Sequence, residues 1–309
     1  MAYLGFESGG TKLVVTLSIN GSDIVESRVI KRPHDAQALD SLQALMQTGQ
    51  ALLRDHQISD LAAIGFGFGG NVNQLLNQPS LCMHEAGWES LSAREVLEEA
   101  FSVPVYVLND CDAAALAEAK AELNRNVQHF YYVTLGTGVG GAFYTNGDIF
   151  HTSPAGNAEI GHIMVDESGN IACPCGNKGC LEAVCSGPGL LQLSKLLYPR
   201  AGISRAEEVT QGYVENDEAC IAIMDKYTEY LGKGMAAVIT LFHPERIILG
   251  GGLGSFVSTV LHDKLIRIVE ARCYPLFRGS VSIHPWQVCE GAVSLGAIFY
   301  AKQQLMERS

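Results

Sequence analysis

The stretch His162-Ile163-Met164-Val165-Asp166-Glu167-Ser168-Gly169-Asn170-Ile171-Ala172-Cys173-Pro174-Cys175-Gly176-Asn177-Lys178-Gly179-Cys180-Leu181-Glu182 brings one imidazole and three thiols together in a span too short for chance. Cys-x-Cys followed by Gly-x-x-Gly-Cys lets a tight loop wrap its thiolates around one ion, and His162 completes the tetrahedral set that zinc prefers. Pro174, Gly176 and Gly179 supply the turns. The reading is a Zn2+ site of His162, Cys173, Cys175 and Cys180. Four protein ligands leave no open coordination position, so the ion is expected to be structural rather than catalytic. Gly156-Asn157-Ala158-Glu159-Ile160-Gly161 precedes the first ligand and Glu182 follows the last. The loop is then either a local staple or a scaffold presenting Glu159, His162 and Glu182 to a polar ligand. The second is favoured because both carboxylates abut the ligands.

Outward from that loop, composition sets the class. With 309 residues, 47% of them apolar, and 33 glycines, the chain suits two sizeable α/β lobes with many tight loops. A net charge of −12 without a basic patch argues against a nucleic-acid partner, since binding a phosphodiester backbone needs Lys and Arg. Met1-Ala2-Tyr3-Leu4-Gly5-Phe6-Glu7 lacks the basic and apolar segments of a secretory signal, and no run of about 18 apolar residues occurs. A soluble cytoplasmic protein with no membrane partner is expected. The scattered Cys82, Cys111, Cys185, Cys220, Cys273 and Cys289 are expected to be reduced and mostly buried.

Strand-forming runs at Tyr3–Glu7, Leu13–Ile19 and Ile24–Lys31, broken by Gly9-Gly10 and Asn20-Gly21, predict three antiparallel strands joined by hairpins. A helix follows over Ala38–His56, and Leu61–Phe66 and Val105–Leu108, each led by a helical stretch, read as buried parallel additions to the same sheet. After a helix over Asp112–Leu123 the theme repeats, with strands at Phe130–Leu135 and Gly140–Tyr144. Helices near Pro188–Leu197, Asp217–Phe242 and Phe256–Cys273, strands at Arg246–Leu249 and Val281–His284, and a helix from Gly291 to about Leu305 complete the pattern. The duplicated plan predicts two α/β lobes facing a cleft, one formed by residues 1–115 with 291–309 and the other by 116–290.

Gly5-Phe6-Glu7-Ser8-Gly9-Gly10-Thr11-Lys12 lies between two strands, where glycines let backbone N–H groups face an anion and Thr11 and Lys12 add donors. Taken alone, an ordinary hairpin turn explains it better. It is not a P-loop, because Lys12 begins a strand rather than a helix. Gly136-x-Gly138-x-x-Gly141 and Gly65-x-Gly67-x-x-Gly70 match dinucleotide spacing, but one enters a strand and the other a polar loop, which excludes that cofactor for both. Gly136-Thr137-Gly138 is instead the counterpart of the first loop, and two such hairpins can hold a triphosphate. Gly250-Gly251-Gly252-Leu253-Gly254 ends a strand and leaves bare backbone against which a purine can lie, or against which a helix simply packs. Asn109-Asp110 ends the strand Val105–Leu108. Asp110 there is equally a base for a substrate hydroxyl or, like Asp112, a helix N-cap.

Taken in order, Glu7…Gly9-Gly10-Thr11-Lys12, Asn109-Asp110…Ala113-Ala114-Ala115, Gly136-Thr137-Gly138, Glu159…Gly161-His162, Cys173-x-Cys175-x4-Cys180-x-Glu182 and Gly250-Gly251-Gly252 resemble the ROK family of bacterial sugar kinases and repressors. The resemblance spans nearly the whole chain, and the cysteine loop is its most specific part. It implies an actin-like (ribonuclease H-like) pair of lobes, Asp110 as catalytic base, and zinc on His162, Cys173, Cys175 and Cys180. Asn109, Glu159, His162 and Glu182 would contact sugar hydroxyls, with Gly70 and Asn71 nearby. ATP phosphates and Mg2+ would lie near Glu7, Gly9, Gly10, Thr11, Lys12, Gly136, Thr137 and Gly138, and adenosine near Gly251 and Gly252. A homodimer is usual in such proteins, though no segment here specifies it. The first loop has Glu7-Ser8 where the family usually has Asp-Ile, as in its fructokinase branch, while Gly65–Asn73 and Glu85-Ala86-Gly87-Trp88 look glucokinase-like. Asn71 replaces a more usual proline. The family's repressors carry a helix-turn-helix ahead of the first loop, and here that loop starts at residue 5. The expected activity is ATP-dependent phosphorylation of a hexose at O6, with glucose or a related aldohexose first, then fructose, N-acetylglucosamine and N-acetylmannosamine. A non-catalytic sugar sensor is the alternative of another class.

Overall fold

Seven consecutive buried residues make up strand β1 (Ala2–Ser8), which turns at Gly9-Gly10 into β2 (Lys12–Ile19), and Asn20-Gly21 returns the chain along β3 (Asp23–Lys31). Asn20 and Gly21 both take positive φ, the left-handed pair that a tight hairpin needs. The computed structural model describes residues 1–33, 35–83, 85–151, 153, 159–288 and 291–307. Helix α1 (Ala38–Asp55) crosses to β4 (Leu61–Phe68). The short hairpin β5 (Asn71–Asn73) and β6 (Gln78–Leu81), then α2 (Ala93–Phe101), lead to β7 (Val105–Asn109) and α3 (Asp110–Lys120). The first sheet has the order β3-β2-β1-β4-β7, with β1 antiparallel to β2 and parallel to β4, and β4 parallel to β7.

The second sheet repeats the plan. Strands β8 (His129–Leu135), β9 (Val139–Thr145) and the two-residue β10 (Asp148–Ile149) form its meander. After the cysteine loop come α4 (Leu181–Cys185), α5 (Gly187–Leu197), α6 (Ala206–Val214) and α7 (Glu218–Phe242). Then follow β11 (Arg246–Gly250), α8 (Gly251–Val260), α9 (His262–Arg272) and β12 (Ser282–Pro285). The order is β10-β9-β8-β11-β12, with β11 parallel to both β8 and β12. Finally α10 (Ala292–Glu307) rejoins the first sheet.

Contacts divide the chain into unit 1, Met1–Asn126 with Gly147–Ala158 and Gln287–Ser309, and unit 2, Val127–Asn146 with Glu159–Trp286. The boundary expected at residue 115 falls inside α3, which packs along α10 and stays whole in unit 1. Each unit has its own core. In unit 1, Leu4, Phe6, Phe66, Phe68 and Val107 pack on α1, α2 and Trp88, while Tyr3, Ala63 and Tyr106 on the opposite face meet Ile298 and Ala301 of α10. Period-2 alternation thus buries both sheet faces. In unit 2, Tyr131, Val133, Leu135, Ile247 and Leu249 pack on α4, α5, α7, α8 and α9.

Glycines set the depth at which α10 seats. A Cβ on Gly65 would lie 1.9 Å from the Ala297 carbonyl oxygen, one on Gly5 2.1 Å from that of Ser294, and one on Gly296 1.7 Å from that of Ala113. The Gly65-x-Gly67 spacing therefore serves helix-on-strand packing, and the polar loop expected after it is the β5–β6 hairpin. Two further expectations change. The single helix expected over Phe256–Cys273 is α8 plus α9, broken at Leu261, which puts Leu261 in the core and lets His262 Nε2 approach the Ile283 carbonyl at 3.2 Å. The helix expected from Asp112 starts at Asp110. Among the described residues, no helix is long and apolar enough to cross a membrane. The cysteines seen are all free and, apart from half-buried Cys82 and Cys175, buried; Cys289 lies outside the described residues.

Candidate functional site

Parallel strands end together, and in unit 1 the register shows which residues that convergence serves. Ser8 pairs with Phe68 and Phe68 with Asn109, so the next residues, Gly9, Gly69 and Asp110, sit side by side at the carboxyl edge of the sheet. The Gly69 N–H donates to the Ser8 carbonyl at 2.8 Å, and a Cβ on Gly69 would lie 3.4 Å from Asp110 Oδ2. The turn after β1 is closed by the Gly9 N–H donating to the Lys12 carbonyl at 3.0 Å, with Thr11 exposed.

Asn109 resolves the capping alternative. Its Oδ1 accepts from the Cys111 N–H at 2.8 Å and the Asp112 N–H at 3.3 Å, and its Nδ2 donates to the Gly70 carbonyl at 3.0 Å. Asn109 is the N-cap. Asp110 is the first helical residue, its Oδ1 accepting from the Cys111 N–H at 2.8 Å. The amide of Asn109 thus ties the base candidate to the Gly69-Gly70 turn, a positional job the sequence did not reveal. Glu7, 7% exposed, faces the same edge. Burial pushes its carboxyl up to about 7, Lys12 opposes that rise and Asp110 adds to it. Two carboxyls and one ammonium at one sheet edge leave negative charge for a divalent cation to offset, so the donor set is one that fits Mg2+.

Unit 2 shows the same construction. Thr134 pairs with Gly250, so Gly136-Thr137-Gly138 and Gly251-Gly252 leave the sheet at one edge. Gly251 has φ +79°, and a Cβ there would lie 2.4 Å from the Leu135 carbonyl oxygen, so only glycine opens α8 this close to β8. Nothing stands within 4 Å of where Gly136 and Gly252 would carry a Cβ. The Gly187 N–H donates to the Gly136 carbonyl at 2.8 Å, placing the Ser186-capped start of α5 against the loop. Sequence reading missed this contact, although Ser186-Gly187-Pro188 is a helix-start signal.

The cysteine loop folds on backbone hydrogen bonds: Cys173 N–H to the Asn177 carbonyl at 2.8 Å, Gly176 N–H to that of Cys173 at 3.0 Å, and Gly179 N–H to that of Ile171 at 3.0 Å. Gly176 and Gly179 take φ of +93° and +70°. The four donor atoms of His162, Cys173, Cys175 and Cys180 lie within 4.8 Å of one another. Cys175 and Cys180 Sγ are 3.8 Å apart, and Cys173 Sγ is 3.6 Å from His162 Nδ1. A tetrahedral zinc ion has S–S edges of about 3.8 Å and S–N edges of about 3.6 Å, so the donor set fits that ion.

Around the loop, Glu182 lies in the first turn of α4, with Oε2 accepting from the Val139 N–H at 3.0 Å. Exposed Glu159 precedes the 3-10 turn Ile160–His162. Gly161 packs so tightly that a Cβ would fall 2.1 Å from the Val139 carbonyl oxygen. Gly156-Asn157-Ala158 lie outside the described residues. Asn71 is half-buried in β5, beside Gly70. A pair absent from the sequence reading is His151 with Asp112, Nε2 to Oδ2 at 2.8 Å, which raises the imidazole pKa and fastens residue 151 to α3.

The ROK family model matches residues 3–304. A glucokinase of Halalkalibacterium halodurans is 30% identical over 84% of this chain and 82% of its own length. A kanosamine kinase of Amycolatopsis mediterranei is 30% identical over 84% and 83%. The crystal structure of a ROK hexokinase from Thermus thermophilus superposes with a TM-score of 0.85 at 24% identity, covering 99% of this chain and all of that one.

Proposed function

The chain belongs to the ROK family, and from that premise we propose that it is an ATP-dependent hexose kinase acting at O6 of glucose or a related aldohexose. The observation that carries the reading is the shared strand edge of unit 1, where Asp110 adjoins the Gly9 and Gly69 turns with Glu7 and Lys12 beside it. Relatives named glucokinase and kanosamine kinase support an aminohexose or hexose acceptor.

Asp110 accepts the proton of the sugar hydroxyl as its oxygen attacks the γ-phosphate, the base role that phosphoryl transfer requires. Its Oδ1 is held by the Cys111 N–H, which fixes the orientation of the carboxylate. In unit 1, Lys12 and the backbone N–H groups of the Gly9–Thr11 turn offset charge on the phosphates. Mg2+, held on the Glu7 side, supplies further charge neutralisation when the nucleotide is bound. Gly251 and Gly252 give adenosine its bare backbone. In unit 2, Glu159, His162 and Glu182 hydrogen-bond sugar hydroxyls. His162 would serve both metal and sugar: its Nδ1, 3.6 Å from Cys173 Sγ, would take the ion, and its Nε2–H would donate to a hydroxyl. His162, Cys173, Cys175 and Cys180 would hold zinc, which would brace that loop.

The test is ADP release from Mg-ATP with glucose, mannose, allose, kanosamine, fructose, N-acetylglucosamine or N-acetylmannosamine, against a control without sugar. One aldohexose is expected to dominate. A rate that no sugar raises above the control, with sugar binding retained, would overturn the kinase reading in favour of a sensor.

A further inference from the structure

Beneath the first turn, unit 1 buries a charge pair that no step above uses. The side chains of Arg32 and Glu85 are 7% and 1% exposed, with Arg32 Nη1 3.2 Å from Glu85 Oε2. Glu85 is fixed from two further sides, accepting from Ser41 Oγ at 2.5 Å and Trp88 Nε1 at 2.8 Å. The second guanidinium nitrogen of Arg32, Nη2, donates to the Gly10 carbonyl at 2.6 Å, and its backbone N–H donates to the Thr11 carbonyl at 3.2 Å. One residue therefore grips two successive carbonyls of the Gly9–Lys12 turn.

That grip has a directional effect. No cis peptide bond occurs among the described residues, and in a trans peptide the N–H points opposite to the C=O. Holding the Gly10 carbonyl toward Arg32 turns the Thr11 N–H away from it. A turn with two glycines has little stiffness of its own, so a charged hydrogen bond from a clamped guanidinium is what fixes its peptide planes. We propose that the Arg32–Glu85 pair is a positioning element of the Gly9–Lys12 turn, orienting its N–H groups for the nucleotide phosphates and so setting nucleotide affinity. This rests on the reading of that turn as a phosphate loop.

A merely structural ion pair is distinguished by charge-neutral removal. Breaking one partner strands a buried charge, whereas replacing both restores most of the stability. The experiment measures thermal stability, kcat, and KM for ATP and hexose in Arg32→Met, in Arg32→Met with Glu85→Gln, and in Arg32→Lys. Lysine can answer Glu85 but cannot reach both acceptors as a fork does. The expected result is an ATP KM raised about tenfold, about 1.4 kcal/mol, in all three. Hexose KM should stay within about twofold, with stability recovered in the double variant and in Arg32→Lys. An ATP KM that returns to normal together with stability would overturn the proposal. Lys12→Ala separates the two readings. If it leaves ATP KM unchanged, the turn is no phosphate loop and both fail. If it raises ATP KM while the double variant does not, only the present inference fails.

Discussion

Replacing Glu7 by Gln should make the ligand-free protein more stable above neutral pH while abolishing turnover. Glu7 is 7% exposed, so solvent screens it little, and burial, helped by Asp110 and opposed by Lys12, lifts its carboxyl from an ordinary 4.5 to about 7. A carboxyl raised in the folded state contributes its stability in full below its unfolded value and loses it as pH rises through the folded one. The window therefore runs from about 4.5 to about 7. Above it, ionised Glu7 costs the folded state about 3 kcal/mol, and near pH 5.5 about half as much. Glutamine keeps the shape and has no such term. Urea unfolding without magnesium or nucleotide should give a variant minus wild-type stability difference that grows by about 2 kcal/mol between about pH 5.5 and about pH 8. Parallel pH profiles for the two proteins would refute the reasoning, because they would mean that Glu7 does not change protonation in that window.

Asp110→Asn should lower kcat by about 10²- to 10⁴-fold while hexose binding, read by calorimetry, stays within a few-fold, since the amide keeps the shape but cannot accept the proton. Cys175→Ser, or zinc removal by a chelator, should weaken hexose binding well before nucleotide binding; metal analysis of the wild type should find one zinc per chain. Glu118→Ala should cost about 3–5 kcal/mol in urea unfolding, because Glu118 is fully buried and its carboxylate accepts hydrogen bonds from the Gln287 and Val288 N–H groups and from Asn124, all of which truncation removes.

The sequence announced both sheets because hairpin glycines and apolar runs are local signals, and strand order follows from them once the connections are helical. The cysteine loop was legible for the same reason: its ligands are near neighbours in the chain. What escaped depends on long-range contact. Asn109 as cap rather than Asp110 or Asp112 hinges on the Gly70 carbonyl, 39 positions away, accepting its other end. The break at Leu261 is invisible in a helical pattern because it is the core and the Ile283 carbonyl that demand it. Arg32 reads as one more surface charge at a strand end until Glu85 is brought beneath it.

The seating of α10 bears on the order of biosynthesis. Residues 292–307 leave the ribosome after all of unit 2, yet they cover the face of the first sheet formed by Tyr3, Ala63 and Tyr106. The first 126 residues must therefore wait, one side of their sheet bare, while unit 2 is made and folds. Unit 1 closes only once α10 has emerged, when Gly296 packs against Ala113 and Ser294 Oγ meets Thr16 Oγ at 2.7 Å. A nascent chain from which unit 2 has emerged but α10 has not would present a finished second unit and an unfinished first, the stage at which a chaperone has most to shield.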